Sequence, residues 1–449
     1  MSDSLNTLQE RLRSGKAHAE GLAEEALARA AAPEGEGARV FTALYGKKAR
    51  AMAHASDTLR KAGVVRSPLE GVPISIKDLF DVAGETTRAG SVALDDAPAA
   101  MRDAEIVRRL VAAGAVLVGR TNMTEFAFSG LGLNPHYGTP LNPYDRAARR
   151  IPGGSSSGAA VSVTDGMAAG AVGTDTGGSV RIPAALCGLV GFKPTAARVP
   201  QQGTLPLSTS LDSIGPIARS VACCALLDAV LSGSAFDLPE ALPLAGLRLA
   251  VPTTLALDGM DEAVGSAFRR ALSRLSGAGA EITELAIPEF ATLATINAKG
   301  GLPAAEAWHW HRALIEKAAA RYDPRVLMRV RRGADITAAD YLDLLDARAS
   351  WIAAVRKRLA PFDALVMPTV PVIAPRIADL EDDAAFGATN LLMLRNPTLI
   401  NFLDGCALSV PCHEAGEAPV GLMLAGHGGS DRRIIALGLA IEAALGRDP

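Results

Sequence analysis

Residues 153–184 read GGSSSGAAVSVTDGMAAGAVGTDTGGSVRIPA, and the reading of this stretch decides the reading of the chain. From Gly153 to Gly215 the sequence is so rich in Gly, Ser, Thr and Ala that composition alone suggests low complexity. Short apolar stretches, Ala168–Gly173 and Ala184–Phe192, are threaded through it. They point instead to tight turns and close backbone approaches inside a core. Two turns within it carry hydroxyls. Ser179 directly follows Gly177 and Gly178, and glycines there let consecutive N–H groups converge on one point. Upstream, 153–158 (GGSSSG) forms a second flexible turn. Neither motif is decisive alone, because Gly/Ser clusters are usually plain loops.

Cleaving an amide needs an activated nucleophile, preorganised donors for the oxyanion, and a proton for the leaving nitrogen. The seven histidines (18, 54, 136, 309, 311, 413, 427) stand in no evident catalytic context. His309 and His311 read as half-buried helix residues. A lysine whose pKa is lowered by burial and neighbours can replace histidine as the base. Lys77 closes the alternating run 72–77 (VPISIK), a strand signature in which it shares a face with Ser75, opposite Ile74 and Ile76. On spacing alone, a surface lysine at a strand end is the favoured reading.

Outward from this centre, helix and strand signals alternate. The first 60 residues read as helix, with Leu5, Leu8 and Leu12 on one stripe and a break at Pro33–Gly37. Residues 104–113 read as a helix leading through Gly114 into the strand Val116–Val118. Further on, 247–252 and 281–287 read as strands around a helix over 261–276. Thr337, with Asp340 three residues later, predicts a capped helix whose apolar face carries Tyr341, Leu345, Trp351, Ile352 and Leu359. Strands near 407–410 and 420–425 precede a helix from about Asp431 to Leu445, closed by Gly446. The economical reading is one large α/β domain.

Bulk properties bound the function. The 449 residues are 49% apolar, which excludes a disordered chain. Lys+Arg (45) nearly balance Asp+Glu (48), so no field recruits nucleic acid or anionic membrane. The polar N-terminus has no apolar signal region, and no run of about 18 uncharged apolar residues occurs. Cytoplasm is the expected address. Cys187, Cys223, Cys224, Cys406 and Cys412 form no C-x-x-C pair and read as buried hydrophobes. No zinc-binding pattern stands out, so neither metal nor cofactor is expected, and small molecules are the default partners.

Together these pieces resemble the amidase signature family. The stretch 153–184 matches its defining Gly/Ser-rich signature, with Thr164 where a smaller residue is usual. Residues 71–84 (GVPISIKDLFDVAG) resemble its lysine segment, and 119–128 with 134–145 the stretch between. GLVGFKPTAARVP, SLDSIGPIARS, DALVMPTVP, CALSVPC and APVGLMLAG extend the likeness to nearly the whole chain. The resemblance implies a single domain with a mixed central β-sheet covered by helices on both faces. Its parts would be a helical segment (1–60), a catalytic core (61–230), a variable substrate-side region (231–350) and the remainder of the core (351–449). It further implies Ser179 as nucleophile, Ser155 as proton relay on a cis peptide, and Lys77 as base. Backbone N–H groups of Thr176, Gly177, Gly178 and Ser179 would form the oxyanion hole, with Ala127 and Phe128 in the acyl-pocket wall. A homodimer is the family's habit. Asp175 and Arg181 are expected to pair and fix the loop, and Asp212 to anchor one. Trp308, Trp310, Tyr341 and Trp351 either line the substrate mouth or pack in the core.

Three rival readings stand beside this one. Residues 154–158 also fit the G-x-S-x-G nucleophile elbow with Ser156 as nucleophile, but the preceding 145–152 (DRAARRIP) is charged and loop-like rather than a strand. The family includes the glutamine-hydrolysing component of the tRNA-dependent amidotransferase, which releases ammonia for a partner; modest length favours a free amidase. A non-catalytic scaffold retaining the fold is the third.

Overall fold

The alternating elements assemble into one eleven-stranded mixed sheet in the computed structural model, which describes residues 3–446. Residues 1–2 and 447–449, at the ends of the first and last predicted segments, lie outside this description. In chain order the strands are β1 (Phe41–Leu44), β2 (Pro73–Lys77), β3 (Val116–Thr121), β4 (Gly170–Asp175), β5 (Val190–Lys193) and β6 (Ser213–Ala218). They continue as β7 (Arg248–Pro252), β8 (Glu281–Leu285), β9 (Ala364–Pro368), β10 (Cys406–Pro411) and β11 (Gly421–Gly426). Across the sheet they run β1-β3-β2-β4-β6-β5-β10-β11-β9-β7-β8. β2 lies parallel between β3 and β4, and β7 parallel between β9 and β8; the remaining pairs are antiparallel.

Helices cover both faces, so the middle strands are buried along their whole length. This removes the polar face that an alternating strand would present to water. Ser75 meets Ser162 Oγ (2.9 Å) within the core, and Lys77 is fully buried. The surface-lysine reading fails for that reason. The open edge is blunted by β8, whose Glu281 and Glu284 are exposed.

The N-terminal stretch is not all helix. Helices Leu5–Arg13, Ala19–Ala30 and Gly46–Lys61 form, but β1 intervenes and pairs antiparallel with β3. Thr337 and Asp340 form the expected capping box on the helix Ala338–Leu359. That helix buries Leu344, Trp351 and Val355, with Tyr341, Leu345, Ile352 and Leu359 half-buried. The sequence reading named no element over Asp383–Phe402, which is a 20-residue helix. Pro397 sits inside it and argues against helix in any local reading. No helix among the described residues is long and apolar enough to cross a membrane.

Candidate active site

The parallel pairing of β2 and β4 brings their C-terminal ends side by side, and the Lys77 side chain there reaches that of Thr174. The Lys77 ammonium donates to Thr174 Oγ1 (2.9 Å) and to Ser155 Oγ (2.7 Å). Neither partner is charged. Burial therefore dominates and lowers the lysine to about 7, against the opposing pull of Asp212 and Asp175.

Ser155 follows the cis peptide Gly154–Ser155 and precedes the helix Ser157–Thr164. Glycines permit the crowding here. A Cβ on Gly154 would meet Gly132 N at 2.5 Å, and one on Gly173 would meet Ser156 Oγ at 2.6 Å. The backbone ties this turn to its neighbours: Ser155 O accepts from Thr124 N (3.1 Å), and Ser156 N donates to Ser179 O (3.2 Å). The second bond draws the two hydroxyl-rich turns together.

Asp175 organises the loop that carries Ser179. Its carboxylate accepts from the N–H groups of Gly178 (2.9 Å) and Val180 (3.1 Å), from the Arg181 guanidinium (2.8 and 3.0 Å) and from Asn401 Nδ2 (2.9 Å). Burial pushes this carboxyl up, but Arg181, Lys193 and Asn401 outweigh it and hold it well below the usual range. The loop-fixing pair expected of Asp175 and Arg181 is present and fully buried. One expectation changes. The Gly178 N–H is occupied by Asp175 and is not free for an oxyanion, whereas those of Thr176, Gly177 and Ser179 bond to no other described residue. Gly178 itself has φ +122°, and a Cβ there would lie 2.6 Å from Pro397 Cβ.

Asp212 is a buried anchor, accepting from Thr176 Oγ1, Leu207 N (2.9 Å) and Ser208 N (3.1 Å). Burial, only partly offset by these bonds, raises it to about 6.

Ser179, Thr176 and Gly177 line a cleft of about 740 Å³, with Ala127 and Phe128 on the same lining. Phe126 (φ +50°) and Ala127 (φ +60°) hold a left-handed backbone that glycine usually takes. Glu125 pins them, accepting from Ser91 Oγ (2.6 Å), His136 Nε2 (2.9 Å) and Asp323 N (2.7 Å). Much of the remaining lining falls at 255, 293–304 and 329–332, within the predicted variable region. The helix Asp383–Phe402 adds another wall, which lies outside that region.

Several candidates fall elsewhere. Ser156 is buried at the start of its helix, its hydroxyl on Thr174 O (3.4 Å), and no strand runs into it, so the elbow geometry is absent. His309 is exposed and His311 fully buried, bonded to Tyr322 Oη (2.9 Å); neither is half-buried as expected. Trp308, Trp310, Tyr341 and Trp351 are not in the cleft lining. Trp351 stacks on Phe290 at 5.9 Å between centroids, and Tyr341 donates to Glu306 (2.8 Å). Sequence reasoning missed Thr174; its one signal is its place in β4 beside the lysine strand.

A family model described as Amidase matches residues 22–435. The chain belongs to the amidase family. Among its relatives, 2-amino-5-chloromuconic acid deaminase of Comamonas testosteroni is 39% identical over 407 residues, covering 90% of this chain and 87% of that protein. A glutamyl-tRNA(Gln) amidotransferase component from Roseiflexus sp. (strain RS-1) is 34% identical, covering 98% of this chain and 96% of that one. A crystal structure of an amidase superposes with a TM-score of 0.88 at 34% identity, over 98% of this chain and 99% of that one. The mixed sheet flanked by helices is thus the amidase fold, and the protein is an amide-hydrolysing enzyme.

Proposed function

We propose that this amidase hydrolyses its substrate through an acyl-enzyme on Ser179, with Ser155 as proton relay and Lys77 as base. The observation that carries this reading is the 2.7 Å contact from a fully buried lysine, lowered to about 7, to the Ser155 hydroxyl. Neutral Lys77 takes the Ser155 proton as Ser155 takes that of Ser179, whose oxygen adds to the amide carbonyl. The N–H groups of Thr176, Gly177 and Ser179 stabilise the oxyanion. Returning the proton along the same path protonates the leaving nitrogen and releases ammonia or an amine. Water then loses a proton to the relay, attacks the ester and frees the acid.

Ammonia release from a panel of primary amides, short aliphatic amides and arylacetamides included, tests this with wild type, Ser179→Ala, Ser155→Ala and Lys77→Ala. Each variant should lose at least roughly 10³-fold in kcat/KM. A Lys77→Ala enzyme working near the wild-type rate would require another base.

A second reading has support from the Roseiflexus relative, an amidotransferase component whose alignment spans 98% of this chain. In it the site is a glutaminase serving a partner. Glutamine hydrolysis that rises on adding partner proteins and charged tRNA would favour it.

A further inference from the structure

The buried asparagines among the described residues, with one exception, each find two protein acceptors for the side-chain nitrogen. Asn122 donates to Arg39 O and Gly138 O, Asn134 to Gly90 O and Met123 O, and Asn142 to Ile151 O and Leu186 O. Asn396 donates to Ala256 O and Pro368 O, and Asn401 to the main-chain oxygen and the carboxylate of Asp175. Asn390, only 4% exposed, is the exception. Its oxygen is held twice over. Gly130 N, which can only donate, points at Asn390 Oδ1 (2.9 Å). Ser129 Oγ, already accepting from Leu131 N (3.2 Å), donates to the same oxygen (2.8 Å). A flipped amide would set N–H against N–H, so the nitrogen faces the other way. There it donates to no described residue, and it is not sealed in the core: Asn390 lines the cleft beside Phe128 and Ser129. A nearly buried donor left unspent costs free energy until a ligand accepts from it.

The donor also sits close to the chemistry. Gly130, whose N–H holds Asn390, accepts through its carbonyl from Gly154 N (2.8 Å), the residue before Ser155. A Cβ on Gly130 would lie 3.1 Å from Ile182 Cδ1, in the short helix that follows Ser179. Ser129 and Gly130 continue the wall formed by Ala127 and Phe128. The rest of the lining is largely leucine and alanine, with the arginines Arg329, Arg332 and Arg395 as its charged members. The carboxamide is uncharged, so it can be satisfied by a neutral oxygen without burying a charge against this apolar surface. We infer that Asn390 selects the substrate, its amide N–H groups donating to a neutral carbonyl oxygen in the acyl part. The inference rests on the amidase reading above and narrows its substrate class to amides that carry a second, non-reacting carbonyl.

The test pairs short keto amides with alkyl amides of the same length. The keto group is moved along the chain but kept off the carbon next to the scissile carbonyl, where it would activate the amide. The wild type should favour the best keto amide over its alkyl partner by roughly 10²-fold in kcat/KM, mostly through KM. Asn390→Asp keeps an oxygen for Ser129 and Gly130 but turns an acceptor toward the cleft. It should abolish or invert the preference, whereas a merely structural role would leave it in place. Equal wild-type rates on paired substrates, or a preference that Asn390→Asp leaves unchanged, would overturn the inference and leave the amidase reading intact. Calorimetric binding of the keto amides to Ser179→Ala, with and without Asn390→Asp, separates the two. Asn390-dependent binding beside a wild type inert to every amide sustains the carbonyl site and sinks the amidase reading. Binding indifferent to Asn390→Asp, or none, overturns the inference. Should Asn390→Asp not fold, equal wild-type rates on the paired substrates still overturn it.

Discussion

Lys77 is a buried ammonium whose partners are two hydroxyls, and its charge is what the site must control. Activity on a neutral amide should rise with pH through about 7 and then level, as the lysine loses its proton. A kcat/KM profile flat between pH 5 and 9 would contradict this. The same shift has a stability consequence with a definite sign. Between about 7 and the ordinary lysine range the folded state binds fewer protons than the unfolded one, so stability is gained as pH rises through that window and lost as it falls. Lys77→Met should therefore raise Tm at pH 7 by a few degrees while removing activity, read by a thermal melt and an assay on the same sample. Ser156 supplies the opposite control. It is buried beside Ser155 but outside the cleft lining, and Ser156→Ala should keep kcat/KM within roughly threefold of wild type. A collapse comparable to that of Ser179→Ala would return the elbow reading to contention.

At the scale of elements, the loop 175–181 is held from two sides, by the Asp175–Arg181–Asn401 cluster and by the helix Asp383–Phe402 packed over its glycines. Adjacent glycines should respond unequally. A Cβ at Gly177 would meet Thr398 Oγ1 at 3.2 Å, a contact that a small shift relieves. One at Gly178 would combine a 2.6 Å clash with Pro397 and a left-handed φ. Gly178→Ala should lower Tm and activity sharply, Gly177→Ala far less; equal effects would count against this packing. Asp175→Asn leaves Arg181 buried without its counter-charge and should cost about 3–5 kcal/mol, seen as a large fall in Tm. The loop's residue types were legible from sequence because glycine, aspartate and serine at fixed positions have specific backbone uses. The covering helix was not, since Pro397 breaks the local pattern and only tertiary contacts restore it.

At the scale of the molecule, strands with strong apolar runs, such as β2, β3, β7, β10 and β11, could be placed from sequence. β1 could not: four residues among helices hold their conformation by pairing with β3, a partner some 75 residues away. The amidase resemblance supplied the mixed sheet, which local periodicity cannot give. Lys77 was similarly ambiguous. Its sequence neighbourhood allowed a surface residue, and its burial follows only from a sheet covered on both faces. The cleft arginines escaped notice because Arg329 lies on the helix Pro324–Arg331, Arg332 on the short turn after it and Arg395 on the helix Asp383–Phe402, which the fold alone brings together.

The most direct test of the central claim is covalent labelling by a fluorophosphonate, followed by peptide mapping and by the rate of labelling in each variant. The account predicts a single adduct on Ser179, none with Ser179→Ala, and labelling slowed by orders of magnitude with Lys77→Ala. An adduct on Ser156, or Lys77→Ala labelled as fast as wild type, would contradict it.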